Sequence, residues 1–374
     1  MKKTKKLHLS TLSIVLMCSV LCLAIFGIVM VFSASCYNAE VNFGNKYYYM
    51  TKQIVGVVLG FCSMILFSFV DYHKLAKWKN WILLLSFVLL LIVFIPGIGT
   101  SSYGATRWIR LPGFTIQPSE IAKFGFVIFV ACYLAKNHEI IKNFRGLLPV
   151  LAVGGAMCLL IMLEPNMSIT MCVGITMLVM LFVGGAKLKH FAYMSLPIGA
   201  LVPALIIMEP YRLKRLTAFL DPWASPKGEG YQLLQSLYSI GDGGLFGVGL
   251  FNSRQKYLFL PFSESDFIFS IICEELGLLG ATIVILLFAL IVICGINIAK
   301  TAKDRFGALL ASGITTIIAV QVLINIAVVS ASIPPTGVPL PFISAGSTSL
   351  VVFMSAIGIL LNISKQSKQN IVKI

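Results

Sequence analysis

Apolar stretches of about twenty residues recur from one end of this 374-residue chain to the other, and roughly twenty residues is the length a helix needs to cross the ~30 Å hydrocarbon core of a bilayer. Ten such spans are predicted, at residues 11–36, 50–70, 80–97, 118–136, 145–164, 166–185, 190–208, 266–298, 307–331 and 341–363. Composition requires the same solvent. The chain is 58% hydrophobic and 11% charged with a mean hydropathy of +0.93, where a soluble domain carries roughly one-quarter charged residues. The expectation is an all-α, polytopic membrane protein forming a single domain over residues 1–374. Its first span is retained rather than cleaved, because it runs past twenty apolar residues with no small-residue cleavage site.

The basic residues orient the spans. If both termini are cytoplasmic, 18 of the 29 Lys and Arg but only 3 of the 14 acids (Asp71, Glu139 and Asp304) fall on the inner side, as short cytoplasmic loops favour Lys and Arg. The inner segments then carry a net +15 and the outer half is neutral. That +15 includes Lys2, Lys3, Lys5, Lys6, Lys368 and Lys373 of the two tails. Charge spread over six short segments does not make a nucleic-acid-binding face, so no nucleic-acid partner is expected. The nine cysteines supply no disulfide framework, eight of them lying in or at the edge of spans. Histidines 8, 73, 138 and 190 all fall inside and have no zinc spacing.

Function is expected outside. One connection is long, residues 209–265 between the seventh and eighth spans, and two smaller outer loops join it at 97–117 and 332–340. Long loops commonly carry function. Within the long loop, Leu233, Leu234, Leu237 and Ile240 are spaced as the apolar stripe of an amphipathic helix that lies flat on the membrane. Ionisable groups near membrane depth each need a partner or a purpose, and three places hold them. Glu120 and Lys123 follow Pro118, three apart: either a capped helix start with an intrahelical ion pair, or the lining of a cavity. Glu164-Pro165-Asn166 is either a tight outer turn or part of a cleft. Glu264, Ser265 and Asp266 suit a helix N-terminus; a cap does not exclude a second role for Asp266 and explains neither Glu274 nor Glu275. Outer carboxylates beside Arg107, Arg110, Lys123, Arg212, Lys214, Arg215, Arg254 and Lys256 suit the holding of a diphosphate while a carboxylate accepts a proton.

At these residues the chain resembles the SEDS family, the cell-shape, elongation, division and sporulation proteins typified by FtsW, RodA and SpoVE. The resemblance is carried by Gly104-Ala105-Thr106-Arg107-Trp108-Ile109, Gln117-Pro118-Ser119-Glu120 with Lys123, and Phe219-Leu220-Asp221-Pro222-Trp223. It continues through Asn252-Ser253-Arg254-Gln255-Lys256, Asp266-Phe267-Ile268-Phe269 with Glu274-Glu275-Leu276-Gly277, and Pro339-Leu340-Pro341-Phe342-Ile343-Ser344. The Asp-Pro-Trp and Asn-Ser-Arg-Gln-Lys segments resemble the FtsW/SpoVE branch more than the RodA branch. Three departures stand out. Glu164-Pro165-Asn166 replaces the usual Gln-Pro-Asp, Glu264-Ser265 the usual His-Thr, and Ser344-Ala345-Gly346-Ser347-Thr348-Ser349 the usual Ser-Tyr-Gly-Gly-Ser-Ser.

The resemblance implies ten helices in the bacterial cytoplasmic membrane and a peptidoglycan glycosyltransferase that joins lipid II units at the outer face, releasing undecaprenyl diphosphate, in division or sporulation. It implies a class B penicillin-binding protein and other divisome proteins as partners. It maps the family's essential aspartate onto Asp266 and the lysine that pairs with it onto Lys123. Arg107, Arg254 and Lys256 are the diphosphate candidates, with a divalent cation, Mg2+ or Mn2+, as a further neutraliser. Glu120, Glu164, Arg215 and Glu275 complete the expected substrate-binding set. Two other readings compete: a lipid II flippase, since buried charges among ten helices also suit alternating access, and a scaffold that recruits the penicillin-binding protein without catalysis.

Overall fold

The structure, a computed structural model, describes residues 11–102, 105–111, 114–207 and 210–367. Gly104, His8 and the tail lysines 2, 3, 5, 6, 368 and 373 lie outside the described residues. Among the described residues twelve α-helices follow in chain order: α1 (Thr11–Phe43), α2 (Tyr48–Phe69), α3 (His73–Ile92), α4 (Pro118–Lys136), α5 (Leu148–Leu163), α6 (Met167–Gly184), α7 (Leu188–Ile207), α8 (Pro210–Leu220), α9 (Tyr231–Gly243), α10 (Ile268–Thr301), α11 (Arg305–Val329) and α12 (Ser347–Lys365). Among the described residues, α1 to α4, α6 and α10 to α12 are long and apolar enough to cross a membrane. With the 16-residue α5 and the 20-residue α7, which carries Pro197 and Pro203 internally, they occupy the ten expected spans.

Four boundaries differ from expectation by five residues or more, among them the end of α1, at Phe43 rather than 36, and the end of α3, at Ile92 rather than 97. Helix α3 starts at His73 rather than residue 80, because Lys74, Lys77 and Trp78 continue the helix beyond its apolar run. The last helix starts at Ser347 rather than 341. Pro341 and Phe342, the latter with φ +66°, keep residues 341–346 irregular although Phe342 and Ile343 are buried.

The centre of the bundle is α4, enclosed over 78% of its apolar window, with α11 and α12 at 67% each; α2 and α3, at 22% and 11%, are its lipid-facing rim. Polar side chains on the central helices are therefore sealed inside protein, the arrangement that makes ionisable groups tolerable there.

Three short strands, β1 (Gly99–Ser102), β2 (Ala105–Leu111) and β3 (Phe114–Ile116), form an antiparallel sheet on the outer side. The sheet pairs the backbone groups of the 97–117 loop with one another and carries Arg107 on its middle strand. Thr348 Oγ1 of α12 donates to the carbonyl of Thr115, which ties the sheet to the bundle.

The amphipathic helix expected in the long loop is α9, and it packs on the start of α10. Ser236 and Ser239 of α9 bond to the Ser270 hydroxyl and carbonyl at 2.8 and 2.9 Å, and Leu233 and Leu234 are buried. Burial of its apolar stripe against α10 takes the place of burial in lipid. At its foot, residues 244–249 complete a break in α10. Gly277 sits at φ +64°, and a Cβ there would fall 2.4 Å from Gly247 N, so glycine alone fits. The backbone groups that the break frees find partners in the loop: Val248 N to Glu274 O at 2.9 Å, Gly249 N to Glu275 O at 3.0 Å, and Leu278 N to Gly244 O at 2.9 Å.

Candidate active site

A cleft of about 370 Å³ opens between the sheet, the long loop, the 334–339 loop and the start of α12. Its charged lining is Asp266 on one side and Arg107, Arg212 and Arg215 on the others, with apolar cover from Pro334, Pro335 and Phe262. One carboxylate faces three guanidiniums.

Each group is fixed by its own element. Arg107 extends from β2 and donates from Nε to the Glu164 carbonyl at 2.9 Å and through its second nitrogen to the Pro165 carbonyl. Arg215, on the amphipathic α8, donates to the Pro335 carbonyl at 2.8 Å. Asp266 is not the cap of α10, which begins at Ile268 with Phe267 in the cap position and no side-chain cap bond. It sits one residue before that cap, its backbone carbonyl accepting from Asn325 Nδ2 at 2.8 Å. Burial pushes the Asp266 carboxyl up to about 6; Arg107 and Arg215 oppose the rise and Glu264 adds to it. Glu264 is itself raised by burial, against hydrogen bonds from its own backbone, Ser263 and Asn38.

Lys123 does not meet Asp266. Its ammonium pairs with Glu120 at 2.9 Å, donates to Gln321 Oε1 at 2.5 Å and lies 4.5 Å from the ring centre of Phe353. Glu120 and Lys123 are 0% and 1% exposed, so the neighbour three residues away on the same helix satisfies the lysine before any remote carboxylate can. The pair sits directly under the cleft floor, because Ser349, which lines the cleft, donates to the other side of Glu120 Oε2 at 2.9 Å.

Three expected substrate ligands lie elsewhere. Lys256 is buried and bonded to Glu275 at 3.1 Å, to Phe251 O at 2.5 Å and to Ser33 Oγ at 3.4 Å. Neither it nor Glu275 lines the cleft. Arg254 borders a separate recess with Asp242, Asn252 and Glu274. Glu164 is buried beside the cleft wall formed by Pro165 and Asn166, with neither carboxylate oxygen hydrogen-bonded. Burial pushes its carboxyl up to about 8, Arg107 opposing. Asn166 caps α6, accepting from Ile169 N at 3.4 Å. Both alternatives open for that segment therefore hold: it is a turn and also part of a cleft.

A protein-held Mg2+ or Mn2+ does not fit this donor set. Hard cations take several oxygen ligands, whereas the cleft brings three guanidiniums to one carboxylate, and among the described residues no three His, Cys, Asp or Glu side chains group to hold a metal.

Sequence reasoning passed over Gln321 and Asn325, although two amides four apart in an apolar helix are a signal. Their Nε2 and Nδ2 atoms donate to the carbonyls of Pro339 and Val338 at 2.9 and 2.7 Å. It also passed over Gly337, where a Cβ would come within 2.7 Å of Asp266 Oδ2.

Comparison with known proteins places this architecture. The family profile described as "Cell cycle protein", FtsW/RodA/SpoVE, matches residues 13–369. Stage V sporulation protein E of Bacillus subtilis (strain 168) is 41% identical over 350 residues, covering 93% of this chain and 95% of that protein. A probable peptidoglycan glycosyltransferase FtsW of Geobacter sp. (strain M18) is 38% identical over 356 residues, covering 95% and 97%. Among solved structures, the rod shape determining protein RodA of Thermus thermophilus superposes with a TM-score of 0.69 at 24% identity, covering 95% and 97% of the two chains. A chain of a peptidoglycan synthase complex described as coordinating polymerization and crosslinking superposes with a TM-score of 0.77, also at 24% identity, covering 95% and 98%.

Proposed function

Because the chain belongs to the FtsW/RodA/SpoVE family of cell cycle proteins and is a multi-pass protein of the bacterial cytoplasmic membrane, we propose that it is a peptidoglycan glycosyltransferase that polymerises lipid II at the outer membrane face during division or sporulation. The observation that carries this reading is the outer cleft in which Asp266 faces Arg107, Arg212 and Arg215.

The chemistry divides between those side chains. Asp266 takes the proton of the acceptor sugar hydroxyl as that oxygen attacks the anomeric carbon of the donor. A new C–O bond forms to the acceptor oxygen, and the anomeric C–O bond to the diphosphate breaks. The leaving group departs as undecaprenyl diphosphate. Arg107, Arg212 and Arg215 neutralise it: planar guanidiniums match phosphate oxygens two at a time and keep their charge at any working pH. The depth of the site favours this division. A base near 6 is ionised at neutral pH yet closer to a hydroxyl's needs than an exposed aspartate. The whole chain acts as one domain, and its partners are a class B penicillin-binding protein, which crosslinks the new strand, and further division proteins.

The test is reconstitution. Proteoliposomes holding the purified chain and fluorescent lipid II are expected to yield glycan polymers. Transfer of monomeric lipid II between leaflets without polymer would establish a flippase instead, and neither product, with a penicillin-binding protein also present, would establish a scaffold.

A further inference from the structure

Two amides lie one turn apart in the buried face of α11, Gln321 and Asn325, each 1% exposed. Burying an amide in an apolar helix is costly unless it is bonded, and the bonds these two make have a common direction. Gln321 accepts from Lys123 through Oε1 at 2.5 Å and donates through Nε2 to Pro339 O at 2.9 Å. Asn325 donates twice through Nδ2, to Asp266 O at 2.8 Å and to Val338 O at 2.7 Å. Its Oδ1 stays buried without a partner, so this side chain is oriented for the two carbonyls at the expense of its own acceptor. The loop they hold rests against the Asp266 carboxylate, since a Cβ on Gly337 would approach Oδ2 to 2.7 Å. Arg215 grips the same loop from the cleft side through Pro335 O at 2.8 Å.

We propose that Gln321 and Asn325 are positioning residues for Asp266: Asn325 fixes the aspartate's backbone to the 337–339 loop, and Gln321 anchors that loop to the buried Lys123–Glu120 pair. Lys123 thus acts on an aspartate it does not touch, through two hydrogen bonds to the loop and then either the close contact of Gly337 or the two further hydrogen bonds of Asn325. The inference rests on Asp266 being the general base. It gives a physical reason for a buried ion pair beneath the cleft floor: the pair is a fixed post for the loop rather than a ligand of the substrate.

Steady-state polymerisation of lipid II by the purified full chain in proteoliposomes tests it. Misplacing a reacting group by about 1 Å costs on the order of 10²-fold in rate. Asn325→Ala is therefore expected to lower kcat by about that factor while KM for lipid II stays within about threefold. Gln321→Glu keeps an acceptor for Lys123 and sets a second carboxylate oxygen, in place of the donor, against the Pro339 carbonyl. It is expected to fold and to lower kcat by roughly tenfold, again with little change in KM. Lys123→Met combined with Gln321→Glu is expected to lose no more than Lys123→Met alone, since both act along one path. An unchanged kcat in both single variants, a loss confined to KM, or multiplicative losses in the double variant would overturn the inference while leaving the glycosyltransferase reading intact. A parent chain that makes no polymer would overturn the reading itself and the inference with it.

Discussion

Asp266 and the Glu274–Glu275 pair lie within ten residues of one another, at and just inside the start of the same helix, and they are bonded in opposite ways. Glu274 accepts from Ser253 Oγ at 2.5 Å, Arg254 N at 2.7 Å and Ser239 Oγ at 3.1 Å; Glu275 accepts from Ser33 Oγ at 2.6 Å and Lys256 Nζ at 3.1 Å. Apart from the Lys256 ammonium, those donors are serine hydroxyls and a loop amide, and Ser253, Arg254 and Lys256 among them tie the 244–256 segment to the break in α10. Asp266 instead opens on a cleft and is balanced by the long cationic side chains of Arg107 and Arg215, which come from two other elements. Carboxylates enclosed among donors of their own neighbourhood hold a backbone in place; one balanced across a cavity stays available to a substrate.

The largest effect expected from this contrast is on activity. Asp266→Asn should reduce lipid II polymerisation by about 10²–10⁴-fold, the scale of general-base catalysis, with thermal unfolding in detergent unchanged; a folded variant of near-parental activity would erase the distinction. Lys256→Met addresses the other site. It strands Glu275 as a buried, uncompensated carboxylate, which costs about 3–5 kcal/mol, and should lower the unfolding temperature sharply. An unmoved unfolding temperature would mean that this cluster is not a lock.

A subtler effect lies in pH dependence. A base must be ionised, so the rate should fall as pH drops through about 6, the value to which burial raises Asp266. Arg107→Gln removes a charge that opposes that rise, and should move the acid limb to higher pH. Glu275→Gln should leave the limb of the surviving enzyme where it is. A limb that follows Glu275 and ignores Arg107 would reverse the assignment.

A further effect, visible only when two pH values are compared, belongs to Glu164. Its folded-state carboxyl is raised to about 8 by burial, with Arg107 opposing, above the ~4.3 of an unperturbed glutamate. The folded form therefore holds its proton more tightly. The associated stability is fully present below about pH 4 and is lost as pH rises toward 8. Glu164→Gln should match the parent at pH 4 and unfold at a higher temperature than the parent at pH 9. Equal unfolding temperatures at both pH values would show that the buried carboxyl carries no such penalty.

The ten spans were legible because lipid imposes a length and an apolarity that no local detail overrides. The sheet at residues 99–116 was not, because its strands are only four, seven and three residues long and owe their existence to pairing across a loop. The motif around Asp266 marked it as a candidate, and the structure places it in the cleft lining. The partner of Lys123 was within reach, since Glu120 lies three residues back on one helix face, yet the remote aspartate was favoured over the near glutamate. The Lys256–Glu275 pair was hidden for a different reason. Nineteen residues separate the two, and they meet only because residues 244–249 fold against a helix break that a single glycine makes possible. Gln321 and Asn325 went unnoticed because neutral amides leave no mark on a charge count.

The break at Gly277 also bears on how the chain is made. Helix α10 has 34 residues, about 51 Å at 1.5 Å per residue, against a hydrocarbon core of about 30 Å. The part beyond Gly277 is apolar enough to partition into the bilayer by itself as the nascent chain emerges. The nine helical residues before it, with two glutamates, cannot; they reach their final state only when the preceding segment supplies Ser239, Ser253 and Lys256. Gly277 therefore divides α10 into a part that lipid alone can hold and a part whose glutamates need the preceding loop for their bonds. Asp266 lies on that same outer side, just before the helix begins.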